Sequence, residues 1–182
     1  MQSRYSVKEQ MLVGLCAALI MIFAQISIPV PFSVVPITFQ AFAVILVAII
    51  IEDQLAIRTL CIYTLLGGIG LPVFSGFSGG FPRIFGPTGG FIIGFILMAF
   101  IIGWASRKNN KMVIWIGTYS ALMLDYVIGT TQLAFVTHMP FKEAMVIGVL
   151  PFLPKDIILA AVAIIVATRI KGVVRKRGLG IC

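Results

Sequence analysis

Charged residues and recognisable catalytic motifs are both scarce in this chain. Only 11% of its 182 residues are charged, and only six residues are acidic. It has no Walker A motif, no HExxH motif, no serine or cysteine nucleophile motif, and no carboxylates paired at helical spacing. These absences argue against ATP hydrolysis and covalent catalysis. We therefore expect a protein that is not an enzyme and that carries no cofactor.

Cysteine and histidine are also rare. Cys16 and Cys61 lie within apolar segments and Cys182 ends the chain, so neither a disulfide framework nor a metal-ligand spacing is present. The one histidine, His138, has no second histidine, cysteine or acidic residue at ligand spacing. The sequence predicts no metal site.

Apolar residues, in contrast, make up 60% of the chain, far more than a soluble domain of this length can bury. Because a bilayer core takes roughly 20 apolar residues per helix, the pattern predicts an all-α integral membrane protein with six transmembrane helices in a single domain, residues 1–182. We expect the first apolar run to be retained rather than removed as a signal peptide. The predicted spans are roughly 10–28, 38–51, 55–72, 88–106, 112–136 and 152–170, and Glu52, Asp53 and Gln54 form a tight polar turn before the third span.

The net charge of +8 comes from basic residues at the ends of the spans rather than from a basic face suited to nucleic acid. Such clusters are typical of cytoplasmic loops. With six crossings, this rule places both termini and the loop at 107–111 in the cytoplasm. The cations concerned are Arg4, Lys8, Arg107, Lys108, Lys111, Arg169, Lys171, Arg175, Lys176 and Arg177.

Three loops, 29–37, 73–87 and 137–151, then lie outside. The segment 67–90 contains nine of the eighteen glycines, and glycine permits tight turns and close approach of backbone to a ligand. It also contains four phenylalanines, which suit a lid over an external cavity better than a solvated linker. A flexible linker remains the alternative. These phenylalanines are Phe74, Phe77, Phe81 and Phe85.

Ionisable residues within the spans require a partner, a cavity or an interface. Arg58 is close enough to the cytoplasmic end to extend its charge to the headgroups. Asp125, near the middle of span five, is either a structural carboxylate or a ligand contact. Asp156 follows the helix-breaking segment PFLPK at the outer end of span six, where we expect a site that includes Lys155.

Span two begins with PVPFSVVPITFQ, and we expect its helix to start near Pro36, since proline is tolerated in a first helical turn. Thr38 and Gln40 then present polar side chains near the outer end of this helix. They either face the cavity or form hydrogen bonds at the membrane interface.

Several of these segments together resemble one protein family. The run GLPVFSGFSGGFPRIFGPTGGFIIGF at 70–95 is similar to the signature of the BioY family, the biotin-specific S components of energy-coupling factor transporters. PVPFSVVPITFQ, YVIG at 126–129 and LPFLPKD at 150–156 follow the order of that family. In one departure, Lys155 stands where the family has glycine, and Leu159 stands where it has lysine.

The resemblance implies a biotin site open to the outside, in the cell membrane of a prokaryote. It also implies docking on a transmembrane coupling subunit that works with two cytosolic ATPases. Small residues on helix one let that partner approach closely in such proteins. Gly14 and Ala18, four residues apart, match that spacing, although ordinary packing within the bundle is an alternative.

Biotin has a carboxylate, an apolar thiophane ring with its tail, and a ureido group with two N–H donors. We expect Lys155 or Arg83 to pair with the carboxylate, Asp156 to accept from the ureido group, and Phe74 or Phe85 to cover the rings. The full set of predicted binding residues is Thr38, Gln40, Phe74, Arg83, Phe85, Gly86, Thr88, Gly89, Gly90, Tyr126, Lys155 and Asp156.

Other functions stay open at this point. An S component for thiamin or riboflavin would share the architecture, but cationic thiamin would be poorly matched to Lys155 and Arg83. A small membrane enzyme acting on phosphate groups would need clustered acidic ligands, and no span contains two acidic residues. A helical assembly subunit is the third alternative.

Overall fold

The structure, a computed structural model, describes residues 6–176, except for the side chains of Glu52, Arg175 and Lys176. The expectations for Arg4, Arg177 and Cys182 lie outside the described residues. The chain forms seven helices and one β-hairpin within this range. In order these are α1 (Val7–Gln25), β1 (Ser27–Val30), β2 (Ser33–Thr38), α2 (Gln40–Gly68), α3 (Phe81–Phe85), α4 (Gly89–Arg107), α5 (Lys111–Thr137), α6 (Phe141–Gly148) and α7 (Leu153–Lys176).

Four of the described helices contain segments long and apolar enough to cross a membrane, and Gln40–Ile51 is a shorter apolar stretch. Their bounds agree with the predicted spans to within a few residues at most ends. These lengths and compositions indicate a membrane protein that is mostly helical. The four segments are Val7–Gln25, Gly89–Arg107, Lys111–Thr137 and Leu153–Val174.

Residues Gln40–Gly68 are helical throughout, yet they cannot form one straight helix. A straight helix would separate Gln40 from Tyr63 by about 35 Å, but Gln40 Nε2 donates to the Tyr63 hydroxyl at 2.9 Å. Asp53, between them, is buried and forms an ion pair with Arg107 at 2.8 Å. The chain therefore reverses direction near Asp53, where the sequence predicted a polar turn.

The β-hairpin corrects two expectations. The fold is not all-α, and Pro36 lies within strand β2 instead of opening a helix, which begins four residues later at Gln40. The β-branched residues around Pro36 favour an extended backbone. Proline is tolerated there because a two-stranded sheet consists only of edge strands. The strands pair antiparallel, with Ser27 opposite Thr38 and Val30 opposite Ser33.

Small residues bring α4 and α5 into close contact along their length. A Cβ added to Gly117 would lie 2.7 Å from the Ala105 side chain, and one added to Gly129 would overlap the Phe91 ring. Small residues at such seams let transmembrane helices approach closely. The close α4–α5 contact holds in place two walls of the cavity described below.

Local signals fix the starts of two helices. Ser6 and Glu9 form a reciprocal capping box at the start of α1, and the Asn110 side chain accepts from Met112 N at 2.9 Å at the start of α5.

At the end of α4, Ser106 Oγ donates to Ile49 O at 2.8 Å. Lys171 Nζ from α7 donates to the same hydroxyl at 2.8 Å. These contacts join α2, α4 and α7 at one end of the bundle.

Candidate functional site

A cavity opens at the opposite end of the bundle, between the β-hairpin, the glycine-rich segment and the start of α7. It contains about 690 Å³ of space free of protein atoms, counted out to its mouth. Aromatic and polar side chains line it together, which is the composition usual for small-molecule sites.

One polar side of the cavity is built around Asp156 in the first turn of α7. Its Oδ1 lies 2.7 Å from Lys155 Nζ, and its Oδ2 accepts from the Tyr126 hydroxyl at 2.7 Å. Lys155 Nζ also donates to the backbone carbonyl of Thr38 at 2.5 Å. The buried carboxylate is thus compensated by a cation and a hydroxyl, and the cluster connects β2, α5 and α7.

Gln40 lies on another part of the wall and is 5% exposed. Its amide donates to the Tyr63 hydroxyl, which in turn donates to Val73 O at 3.3 Å. Tyr63 also packs edge-on against Phe74, with ring centroids 5.4 Å apart. This chain of contacts orients Gln40 and joins the two halves of α2 to the glycine-rich segment.

Gln25, the last residue of α1, anchors the glycine-rich segment. Its side-chain amide donates to Val73 O at 3.2 Å and to Phe74 O at 3.1 Å, and its Oε1 accepts from Phe77 N at 2.8 Å. Phe77 has a φ of 52°, an uncommon conformation for a non-glycine residue. The three hydrogen bonds hold the backbone around Phe74, whose ring is buried against Gly67.

The short helix α3 carries Arg83 to the cavity. Arg83 Nε donates to Ser78 Oγ at 2.7 Å. From α5, Gln132 Nε2 donates to Ile84 O at 2.7 Å and to Gly86 O at 2.8 Å, which fixes the last turn of α3. The glycine-rich segment is therefore bonded to the bundle at both α1 and α5.

Of the twelve predicted binding residues, eight line the cavity. Phe85 does not line it: its side chain is 69% exposed and stacks on Phe81. Gly86, Gly89 and Gly90 lie in contact with neighbouring backbone, where a Cβ would meet protein atoms. The eight lining residues are Thr38, Gln40, Phe74, Arg83, Thr88, Tyr126, Lys155 and Asp156.

The apolar wall was not predicted from the sequence. Phe91, Ile92 and Phe95 on α4 follow Thr88 at helical spacing and share its face. Leu122 on α5 stands one turn before Tyr126, and Phe152 precedes α7. Helical periodicity counted from the polar residues Thr88 and Tyr126 would have found the residues on α4 and α5.

Asp125, left open by the sequence, also lines the cavity. It is 3% exposed, and its Oδ1 has no hydrogen-bond partner among the described residues. Gly94 of α4 faces it so closely that a Cβ there would overlap this oxygen. The cavity thus contains a second carboxylate, deeper along α5 than Tyr126.

The two small residues on α1 lie away from this cavity. Gly14 and Ala18 are both exposed, and a Cβ added to Gly14 would have no heavy atom within 4 Å. A shallow apolar groove between α1 and the second half of α2 includes Gly14 and Val13. This face of α1 is therefore open to contact from outside the bundle.

Comparison with known proteins agrees with this architecture. The sequence profile of the BioY family matches residues 1–176. A protein of Pyrococcus horikoshii named "Probable biotin transporter BioY" is 42% identical over 91% of this chain and 97% of its own. The "Biotin transporter BioY" of Thermotoga maritima is 38% identical over 87% of this chain and 92% of its own.

Among solved structures, the crystal structure of "the S-component for biotin from an ECF-type ABC transporter" superposes with a TM-score of 0.85. It covers 94% of this chain and 95% of its own at 24% identity, a likeness that shows the shared fold. The profile match runs almost the full length, and near-complete relatives exceed 30% identity. The chain therefore belongs to the BioY family.

Proposed function

We propose that this chain is the biotin-binding S component of an energy-coupling factor importer, in the plasma membrane of a prokaryote. The observation that carries the proposal is a cavity that joins an aromatic wall to a compensated polar cluster. An apolar bicyclic ring and tail suit the wall, and one polar end of biotin suits the cluster. The relatives named as biotin transporters support the same ligand.

Within the cavity, Phe74, Phe91 and Phe95 offer apolar contact for the thiophane ring and tail. Of the two predicted cations, Arg83 pairs with the ligand carboxylate, because it reaches the cavity wall from α3, whereas Lys155 is held 2.7 Å from Asp156 Oδ1. Asp156 accepts from the ureido group, since a carboxylate placed beside the carboxylate of biotin would repel it. Gln40 and Thr88 complete the polar set.

The proposed topology has six transmembrane crossings, with both termini in the cytoplasm. The reversal of α2 near Asp53 supports it, because two of the crossings then come from α2. The cations Arg107, Lys108 and Lys111 would lie at the cytoplasmic side. The cavity, at the other end of α4 from Arg107, would open to the outside.

For import, we propose that the chain docks on a transmembrane coupling subunit that works with two cytosolic ATPases. The exposed face of α1 around Gly14 and Ala18 is the proposed contact, since small residues let a partner helix approach closely. The chain itself supplies ligand binding, and ATP hydrolysis is supplied by the partners.

Titration of the purified protein with a panel of vitamins tests the proposed ligand. We expect saturable binding of biotin, and no heat of binding with thiamin or riboflavin at the same concentrations. Biotin retained through purification would support the same conclusion. Binding of another vitamin in preference to biotin would contradict it.

A further inference from the structure

Asp125 is a buried carboxylate that the interactions described so far leave unexplained. It lies near the middle of α5 and is 3% exposed. Unlike Asp53, which is paired with Arg107, it has no ion pair with any described residue. Its surroundings in the cavity wall include the apolar side chains of Phe95 and Leu122.

The contrast with Asp156 is informative. Both oxygens of Asp156 have a protein partner within 2.7 Å, whereas Asp125 Oδ1 is fully buried without a hydrogen-bond partner in the described part of the chain. A buried polar oxygen without a partner is costly, and such groups are rare in folded proteins. Asp125 also lines the cavity, so its carboxyl group is placed to accept a hydrogen bond from an occupant.

Gly94 preserves room for this carboxylate. Any side chain at that position would overlap Asp125 Oδ1, because even an added Cβ does so. Thr118, two turns earlier on α5, offers a useful comparison: its Oγ1 is equally buried and also lacks a hydrogen-bond partner among residues 6–176, but it does not line the cavity. Among residues 6–176, Asp125 and Asp156 are the cavity-lining residues with a buried Oδ1 that has no hydrogen bond, and of the two only Asp156 Oδ1 has a cation beside it.

We infer that Asp125 is a ligand contact that determines specificity, and that it accepts a hydrogen bond from one N–H of the bound ring. This rests on the proposed function, in which that N–H belongs to the ureido group of biotin. Asp156, held by Lys155 and Tyr126, accepts from the other N–H of the ureido group. Two carboxylates then select a ring that presents two N–H donors over a ring that presents one.

The test measures binding of biotin and of its two cyclic carbamate analogues, in each of which oxygen replaces one ureido N–H. These analogues keep the size of the ring and remove one donor. For the natural chain, we expect one carbamate to bind about 10- to 100-fold more weakly than biotin, because loss of the hydrogen bond leaves the buried Asp125 carboxyl group without its partner.

The Asp125→Leu variant should bind biotin about 10- to 100-fold more weakly, and the difference between biotin and that carbamate should shrink by a similar factor. Asp125→Asn keeps the shape of the side chain and guards against misfolding. It should show a smaller loss in the same direction. Thr118→Val is the matched control and should leave biotin affinity unchanged.

Equal losses for biotin and both carbamates in Asp125→Leu would show a purely structural carboxylate and overturn the inference. Unchanged biotin affinity in both Asp125 variants would also overturn it. Neither result would affect the proposed function, provided that the natural chain binds biotin. Absence of biotin binding by the natural chain would instead overturn the proposed function and this inference together.

Discussion

Lys155 shows how a single residue can serve two segments of the site. Its ammonium group lies 2.7 Å from Asp156 Oδ1 and donates to Thr38 O, so it neutralises a buried carboxylate and holds the end of β2. Its side chain is 23% exposed, which leaves part of it accessible from the cavity. The same cation therefore organises the polar cluster by holding both β2 and α7.

Replacing Lys155 with alanine should weaken biotin binding by about 10- to 100-fold, because Asp156 loses its ion partner and the end of β2 loses its hydrogen bond to the ammonium group. Calorimetric titration in detergent measures this change. Lys142→Ala, which removes an exposed cation on α6, is the control and should bind as the natural chain does. Full affinity in both Lys155→Ala and Asp156→Asn would remove the two residues from the site.

At the scale of elements, the glycine-rich segment is ordered by side chains from helices distant in sequence. Gln25 of α1 makes three hydrogen bonds to it, and Gln132 of α5 makes two more. Glycine supplies the turns, but the position of the segment comes from these glutamines. Loosening either anchor should therefore affect ligand retention before it affects the helical bundle.

The Gln25→Leu variant should release biotin about 10-fold faster, because the backbone around Phe74 loses its three hydrogen bonds while the apolar contacts of α1 are kept. Stopped-flow dissociation measures the rate. Amide hydrogen exchange over residues 73–80 should rise in the same variant. Gln10→Leu, an exposed change at the other end of α1, serves as the control. An unchanged dissociation rate would show that the anchor has no part in retaining the ligand.

Sequence patterns predicted the elements whose signals are local. The apolar spans, the polar turn near Asp53 and the site at the start of α7 each depend on a short run of residues. The β-hairpin was missed because Pro36 was assigned to a first helical turn, although its β-branched neighbours favour an extended strand. The anchoring by Gln25 could not be predicted, since it joins residues 48–52 positions apart.

The residues of the candidate site, like the elements of the fold, were predicted only in part. Polar, charged and aromatic residues were predicted, most of them from glycine-rich or proline-rich segments, and eight of these residues line the cavity. Phe91, Ile92 and Leu122 were not, because apolar residues in an apolar helix look alike whether they face lipid, a neighbouring helix or a ligand. The signal that distinguishes these three residues is their helical spacing from the polar residues Thr88 and Tyr126.

At the scale of the whole molecule, the proposed topology places the cavity and the loop before α5 on opposite sides of the membrane. Single cysteines at Lys142 and Lys111, both exposed, report on the two sides once the native cysteines are replaced by serine. In intact cells, Lys142→Cys should react with a membrane-impermeant maleimide, and Lys111→Cys should react only after permeabilisation. The reverse pattern would contradict the topology.

The contacts around Ser106 have a consequence for how the protein opens. Hydrogen bonds join α2, α4 and α7 at one end of the bundle, through Ile49 O, the Ser106 hydroxyl and the Lys171 ammonium group. At the other end, the cavity is covered mainly by the hairpin and the glycine-rich segment. Helices joined in this way have little freedom to separate at that end. We therefore expect a vitamin to enter the cavity through displacement of the hairpin and the glycine-rich segment, while the end of the bundle at Ser106 stays closed.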